Sequence, residues 1–159
     1  MHSWECIVKI FAMNNRTELL GGAIHKLAVC YQQLSGRFNR VLEPLSLNMT
    51  QMSLLTHFAW NPGQRETIGQ LAEVMLMNQP AVTKAVKSMA NMAWLVKIKD
   101  EHDARVTHLQ VTEAGLRQLE LAREQCLPIL QQAFAGLNDK ELGLLIGLLS
   151  SPVKNLTQD

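Results

Sequence analysis

The residues best suited to contact a polyanion lie on one stretch of the chain. Between Gln79 and Val111 there are five Lys or Arg and three Asp or Glu residues, a net charge of +2. If Gln79 to Asn91 is a helix, one arc carries small polar side chains and two lysines but no carboxylate: Pro80, Thr83, Lys84, Lys87, Ser88 and Asn91. Such an arc can hydrogen-bond base edges in a major groove. It also fits a solvated face, since helix-turn-helix pairs occur in proteins that never touch DNA.

The residues around this arc predict the elements that would position it. Thr67 and Gln70 have the spacing of a capping box, and an apolar stripe of helical period follows them. Asn78 can cap the next helix, with Pro80 in its first turn. We therefore predict a helix, a turn at residues 76–78, and a second helix from Gln79 to Asn91. Its buried side is expected to comprise Val82, Ala85, Val86, Met89 and Ala93.

A β-hairpin is predicted directly after the second helix. Leu95 to Lys99 alternates in polarity, Val106 to Val111 is a second β-prone run, and a polar tip separates them. Arg105 at this tip can enter a minor groove, where negative potential is concentrated. We expect the Asp103 carboxylate to pair with its guanidinium and fix its direction. The alternative is a solvated loop with a weak ion pair.

These residues carry a family resemblance. The chain resembles the MarR family of bacterial transcriptional regulators. The motifs stand, without gaps, as Ala81-Val82-Thr83-Lys84, Met89, Ala93-Trp94-Leu95, Asp103-Ala104-Arg105 and Val111-Thr112-Glu113-Ala114-Gly115. Leu47 to Gln51 and Leu137 to Glu141 resemble two further helix starts of the family, so the likeness covers about Leu19 to Leu149. The chain departs from the pattern at Ala93, where Gly is usual, and at Lys84 and Lys97, where Arg is common.

The resemblance implies a mainly α fold with a small β-wing, in which a winged helix-turn-helix is flanked by N- and C-terminal dimerisation helices. We expect residues 1–159 to form a single MarR-like domain, with a DNA-binding core at 48–112 and dimerisation helices at 18–46 and 113–151. It also implies a homodimer that binds a palindromic operator in double-stranded DNA, represses transcription, and is released by a small lipophilic or anionic effector.

The site residues that follow from these patterns form two sets. The DNA-binding set is Gln79, Pro80, Thr83, Lys84, Lys87, Ser88, Lys97, Lys99, His102, Asp103 and Arg105. The effector set is His57, Trp60 and Trp94, with Met52 beside them, although large side chains of this kind more often belong to a core.

The remaining helices are read from apolar periodicity. One runs from Glu18 to Leu42 and ends at Glu43-Pro44, and another runs from Asn48 to Trp60 with Asn48 and Gln51 as a capping pair. Thr112 caps a long helix that Pro128 is expected to bend. A last helix from Asn138 to about Leu149 is apolar nearly all round, so we expect it to pack against another subunit.

Composition excludes several classes of protein. The 159 residues suit one domain, and no apolar run reaches the ~18 residues of a membrane span. Three widely spaced cysteines fit a reducing cytoplasm. We expect no enzyme, cofactor or metal site, since the histidines are scattered and no metal-ligand spacing is present. Two rival functions stay open: a winged-helix module that binds protein, and a thiol-based redox sensor at Cys30, for which a buried structural cysteine is the default.

The first fifteen residues do not continue the helical pattern. They lack the basic start and cleavage site of a signal peptide. Our hypothesis is that Met13 is the natural start and that residues 1–12 are an extension, which the intact mass of the native protein would decide.

Overall fold

A computed structural model describes residues 15–103 and 105–156. The predicted N-terminal extension lies outside these residues apart from Asn15, which begins the first helix. The elements, in chain order, are α1 (Asn15–Leu42), a short 3-10 helix (Glu43–Leu45), α2 (Met49–Trp60), α3 (Ile68–Val74), α4 (Gln79–Asn91), β1 (Leu95–Lys99), β2 (Thr107–Val111), α5 (Glu113–Ala133) and α6 (Asp139–Leu156). This order confirms the predicted fold class, a mainly α chain with a small β-wing.

The wing is a two-stranded antiparallel sheet in which Leu95 pairs with Val111 and Lys99 with Thr107. On the other edge of β2, Leu109 forms an isolated bridge with Glu66. Its two backbone hydrogen bonds run from Leu109 N to Glu66 O at 2.8 Å and from Glu66 N to Leu109 O at 3.4 Å. The loop before α3 is therefore joined directly to the wing.

The caps predicted for α2, α3 and α4 are present. Asn48 with Gln51, and Thr67 with Gln70, form complete capping boxes at α2 and α3. Asn78 accepts the Ala81 amide at 2.9 Å. These caps satisfy backbone donors that no helix can satisfy internally, so the short helices α3 and α4 begin at defined residues.

The core behind α4 is formed by four of the five residues predicted for it. Val82, Ala85, Val86 and Met89 are buried. The prediction for Ala93 is wrong, because this residue is exposed and lies beyond the helix in a left-handed conformation with φ 56°. The turn that leaves α4 needs a positive φ, which explains why glycine is the residue expected at this position.

Two helix boundaries differ from those predicted. The α1 helix begins at Asn15 rather than Glu18, and the 3-10 helix follows it at Glu43. The last helix does not end near Leu149 but continues through Pro152 to Leu156. Val153 and Leu156 lie four and seven residues after Leu149, so the apolar helical period does continue to the observed end of the helix.

The described chain divides into two compact units, one ending at Cys126 and the other beginning at Leu127. The first unit contains the helix-turn-helix, the wing and the start of α5. No helix among residues 15–103 and 105–156 is long and apolar enough to cross a membrane.

The start of α5 is bonded to the turn between α4 and β1. The Thr112 hydroxyl donates to the Ala93 carbonyl oxygen at 2.6 Å and accepts the Gly115 amide at 3.1 Å. The Thr112 amide donates to the Trp94 carbonyl oxygen at 3.1 Å. A Cβ on Gly115 would lie 2.4 Å from that carbonyl oxygen. Only glycine therefore allows α5 to approach the turn this closely.

We expect Gly115→Ala to lower the free energy of unfolding by about 1 to 3 kcal/mol, because the added methyl group must displace backbone. Urea unfolding followed by circular dichroism measures it. Gly36→Ala is the matched control: Gly36 lies within α1 and an added Cβ would meet nothing within 4 Å. That variant is expected to gain about 0.5 to 1 kcal/mol from helix propensity. Equal effects at the two positions would contradict the close-approach argument.

Candidate nucleic-acid interface

The predicted DNA-reading arc of α4 lies on the surface. Gln79, Pro80, Thr83, Lys84 and Lys87 are all exposed, as are Ser88 and Asn91. The opposite side of the same helix is buried, so α4 cannot rotate to hide the arc. The surface therefore offers two lysines and several small polar groups, with no carboxylate from α4 among them.

The two hydroxyl groups of the arc are engaged differently. Thr83 donates its hydroxyl proton to the Gln79 carbonyl oxygen at 2.8 Å. Ser88 accepts a hydrogen bond at 3.1 Å from the side-chain amide of Gln51, which lies on α2. Gln51 was predicted only as part of a capping pair. Gln51 and Ser88 are 37 positions apart in the sequence, so no local sequence pattern predicts their contact.

The wing carries its predicted residues on its surface. Lys97 and Lys99 are exposed on β1, and His102, Asp103 and Arg105 are exposed at the tip. The predicted side-chain pair between Asp103 and Arg105 is wrong. The Asp103 carboxylate accepts the Arg105 backbone amide at 2.9 Å, and among the described residues it forms no ion pair with the guanidinium. Asp103 thus shapes the turn, because a carboxylate two residues before an amide is well placed for an Asx turn.

Asp100 organises the base of the tip. One carboxylate oxygen accepts the amides of His102 at 2.8 Å and Asp103 at 3.0 Å. The other lies 2.9 Å from Nε2 of His108. These bonds, that from the His102 amide foremost, lower the pKa of Asp100 from 3.8 to about 2. His108, the partner of this second oxygen, is partly buried.

A largely apolar cavity of about 330 Å³ lies beside α2 in the same unit. Met52, His57 and Trp60 line it, together with Phe38 and Met75. The effector set is therefore brought together except for Trp94. Trp94 is only 6% exposed and does not line this cavity, because it belongs to the core beneath the turn after α4.

His57 joins this cavity to a buried carboxylate. Its Nε2 lies 2.7 Å from Oε2 of Glu66, and Oε1 of Glu66 accepts the Gln64 side-chain amide at 2.9 Å. Glu66 is only 3% exposed. A carboxylate in that position needs such partners, since burying an unpaired charge is costly. Sequence analysis named His57 but missed Glu66, because no motif links the two positions.

Comparison with known proteins identifies the family. The family model for the transcriptional regulator SarA/Rot matches residues 37–120, which are more than half of the 159 residues. The chain belongs to the SarA/Rot family of transcriptional regulators. Membership of the SarA/Rot family makes it a regulator and not an enzyme, and the matched residues include α2, α3, α4 and the wing.

Individual relatives and solved structures are also similar to this chain. The transcriptional repressor IacR from Pseudomonas putida is 23% identical over 130 residues, covering 82% of this chain and 77% of its own. AbsC, a MarR-family regulator from Streptomyces coelicolor, is similar in structure with a TM-score of 0.75 at 18% identity, over 92% of this chain and 98% of its own. A mutant MarR from E. coli complexed with operator DNA is similar in structure with a TM-score of 0.69 at 21% identity, over 86% of this chain and 95% of its own. The resemblance to MarR-family regulators is confirmed.

The two described cysteines of this SarA/Rot-family chain lie in different surroundings. Cys30 is exposed, so the expectation of a buried structural cysteine is wrong. Cys126 is buried, and loss of solvation raises the pKa of its thiol. A raised pKa disfavours the reactive thiolate, and of these two cysteines only Cys30 is accessible to a reagent.

The contribution of Asp100 to the stability of the wing tip depends on pH. Because the folded pKa of Asp100 is depressed, its contribution to stability is fully present above its ordinary pKa of 3.8 and is lost as pH falls towards about 2. We expect the His102 and Asp103 amide shifts in NMR spectra to titrate with a midpoint near pH 2. Asp100→Asn should abolish that transition. A midpoint near 3.8 would contradict the bonding described for this carboxylate.

Proposed function

We propose that this regulator binds a palindromic operator as a homodimer in the cytoplasm, represses transcription, and is released by a small effector. The observation that carries the proposal is the exposed arc of α4. It is free of carboxylates, it is backed by a core that fixes its direction, and the wing of the same unit carries the exposed Arg105.

Each group of exposed residues has a role in this proposal. Gln79, Pro80, Thr83, Lys84, Lys87 and Ser88 would face the major groove, where side chains can distinguish base pairs. Lys97 and Lys99 would contact phosphates, and Arg105 would enter the minor groove, with His102 and Asp103 forming the turn that presents it. The structural similarity to a MarR protein complexed with operator DNA supports this arrangement, and the relative IacR is itself a repressor.

The charge available for binding is modest. The stretch from Gln79 to Val111 carries a net charge of +2, and the whole chain only +1. We call α4 together with the wing the reading head. One reading head with so few cations would bind DNA weakly at physiological salt. Two heads on a two-fold symmetric dimer, one DNA turn or ~34 Å apart, would raise affinity by binding two half-sites together.

Exposed apolar residues support the dimer. On α6 none of the described residues is buried, and Leu144, Ile146, Leu148 and Val153 are each more than half exposed. On α1, Leu19, Leu20 and Ile24 are also more than half exposed. Apolar surface on this scale is unfavourable in water and is typical of a subunit interface. We infer that both surfaces pack against a second copy of the chain.

The dimer is tested by placing a charge in the apolar surface. We expect Ile146→Asp to convert the dimer to monomer in analytical ultracentrifugation, because an unpaired carboxylate cannot be buried at an interface without cost. Lys140→Ala, at an exposed position of the same helix, should leave the dimer intact. A wild-type protein that sediments as a monomer at micromolar concentration would refute this part of the proposal.

The effector is proposed to occupy the cavity lined by Met52, His57 and Trp60. Its volume of about 330 Å³ is at the lower end of the range for small-molecule sites. Its walls are methionine and aromatic side chains, which adapt to lipophilic ligands. Binding there would act on the wing through His57 and Glu66, since Glu66 is bonded to β2.

Operator binding is tested with DNA from upstream of the gene, against scrambled competitor, at two salt concentrations. We expect tight binding that resists competitor and falls with salt, as phosphate contacts require. Arg105→Ala should weaken binding by roughly 1 to 3 kcal/mol without unfolding the protein. Arg117→Ala is the matched control, because Arg117 is exposed on α5 and is not among the residues proposed to contact DNA.

Two outcomes would redirect the proposal. Unchanged affinity in Arg105→Ala would remove the wing tip from the mechanism. Weak binding that is equal for both DNAs would favour the alternative of a protein-binding winged helix. The redox alternative is supported by the exposure of Cys30, and loss of operator binding after mild peroxide treatment, absent in Cys30→Ser, would favour it.

A further inference from the structure

Gln51 is a buried polar residue that links α2 to the arc of α4. The residue is only 3% exposed, and both polar atoms of its side-chain amide are engaged. Oε1 accepts the Asn48 backbone amide at 3.0 Å, and Nε2 donates to the Ser88 hydroxyl oxygen at 3.1 Å. The amide thus bridges the start of α2 and the surface that we propose reads DNA.

The chemistry of these partners fixes the orientation of the amide. The Asn48 backbone N–H can only donate, so the atom of Gln51 that faces it must be the oxygen. The atom that faces Ser88 is then the nitrogen, which can only donate. A reversed amide would place a donor against a donor. The direction of the hydrogen bond to Ser88 therefore follows from the capping box of α2.

This direction determines what Ser88 can offer to a ligand. Its oxygen accepts from Gln51, so its own proton must point elsewhere. No side chain or carbonyl among the described residues accepts that proton. Thr83, on the same arc, is the opposite case, because its proton is already donated to the Gln79 carbonyl oxygen. Of the two hydroxyl groups, Ser88 is thus the donor and Thr83 presents a methyl group and oxygen lone pairs.

Two open cavities border the Gln51 to Ser88 bond. Cavities of about 420 and 590 Å³ are both lined by Asn39, Asn48, Gln51 and Ser88. Lys84 lines the first cavity, and Arg40 and Glu43 line the second. The Ser88 hydroxyl therefore borders an open groove with two cations and one carboxylate and not a packed core, so an acceptor-bearing ligand can reach it.

We propose that Gln51 is a positioning residue for DNA recognition, holding the Ser88 hydroxyl as a hydrogen-bond donor to an acceptor on operator DNA. The inference rests on the proposed DNA-binding function and deepens it. The acceptor is a phosphate oxygen or an acceptor edge of a base in the major groove, such as N7 or O6 of guanine or O4 of thymine.

The test is a double-mutant cycle of Ser88→Ala and Gln51→Glu, measured as affinity for the upstream DNA at pH 8. The introduced carboxylate can still accept the Asn48 amide, but towards Ser88 it can also only accept, so it turns the Ser88 proton inward. We expect Ser88→Ala and Gln51→Glu each to weaken binding about threefold to tenfold, the usual worth of one hydrogen bond. In the Ser88→Ala background, Gln51→Glu should then change affinity less than twofold.

The cycle separates positioning from other effects. A new negative charge, or a general loss of structure, would weaken binding equally in both backgrounds, and that result would overturn the proposal. Full affinity in Ser88→Ala would overturn it as well. Gln51→Met removes both hydrogen bonds at similar volume and checks the case in which the carboxylate prevents folding. It should weaken binding in the wild-type background and not in Ser88→Ala.

A second measurement keeps this inference apart from the proposed function. Urea unfolding of the same four proteins reports the Gln51 to Ser88 bond without DNA, and coupling between the two positions is expected there too. If the wild type does not distinguish operator from scrambled DNA, the proposed function fails and takes this role with it. If binding is specific but the affinities show no coupling between Gln51 and Ser88, the positioning role is refuted and the proposed function is not.

Discussion

The arrangement of the reading head depends on the hydrogen bonds of Thr112 with the turn after α4. The wing leaves that turn at Leu95 and returns to it at Val111, so both ends of the hairpin are tied to one point. Gly115 lets the start of α5 approach the Trp94 carbonyl closely enough for these bonds to form. These contacts fix the positions of the end of α4, the base of the wing and the start of α5 relative to one another. A displacement of any one of the three therefore strains its contacts with the other two.

A second connection reaches the wing from the opposite side. Glu66 pairs with Leu109 through its backbone and with His57 through its carboxylate. The cavity beside α2 and the strand that carries the wing are thus separated by two residues in direct contact. Because Nε2 of His57 lies only 2.7 Å from the Glu66 carboxylate and Glu66 is only 3% exposed, a ligand that moved the His57 ring would have to break or shift this bond on the path to β2. The geometry offers a physical route from cavity to wing that needs no rearrangement of α4.

The features that were correct from the sequence are mostly local ones. The caps at Asn48, Thr67 and Asn78 depend on residues three positions apart, and the burial of Val82 to Met89 depends on the period of one helix. The features that were missed join distant positions. The bonds of Gln51 to Ser88 and of His57 to Glu66, and the placement of Trp94 in the core, follow only from how helices pack. At the wing tip the residues were named correctly, yet Asp103 bonds to backbone, because a nearby amide competes well with a mobile guanidinium.

The two described tryptophans lie in opposite surroundings. Trp60 is 76% exposed at the cavity, whereas Trp94 is 6% exposed beneath the turn that anchors the wing. Indole emission shifts to shorter wavelength in an apolar environment and is quenched by nearby polar groups. The protein therefore carries two optical reporters of its own, one at the rim of the proposed effector site and one inside the joint of the reading head. The sequence has a third tryptophan, Trp4, so replacing Trp4 and either of these two by phenylalanine leaves the other as the single indole. The cavity and the turn after α4 can then each be followed by fluorescence without any attached dye.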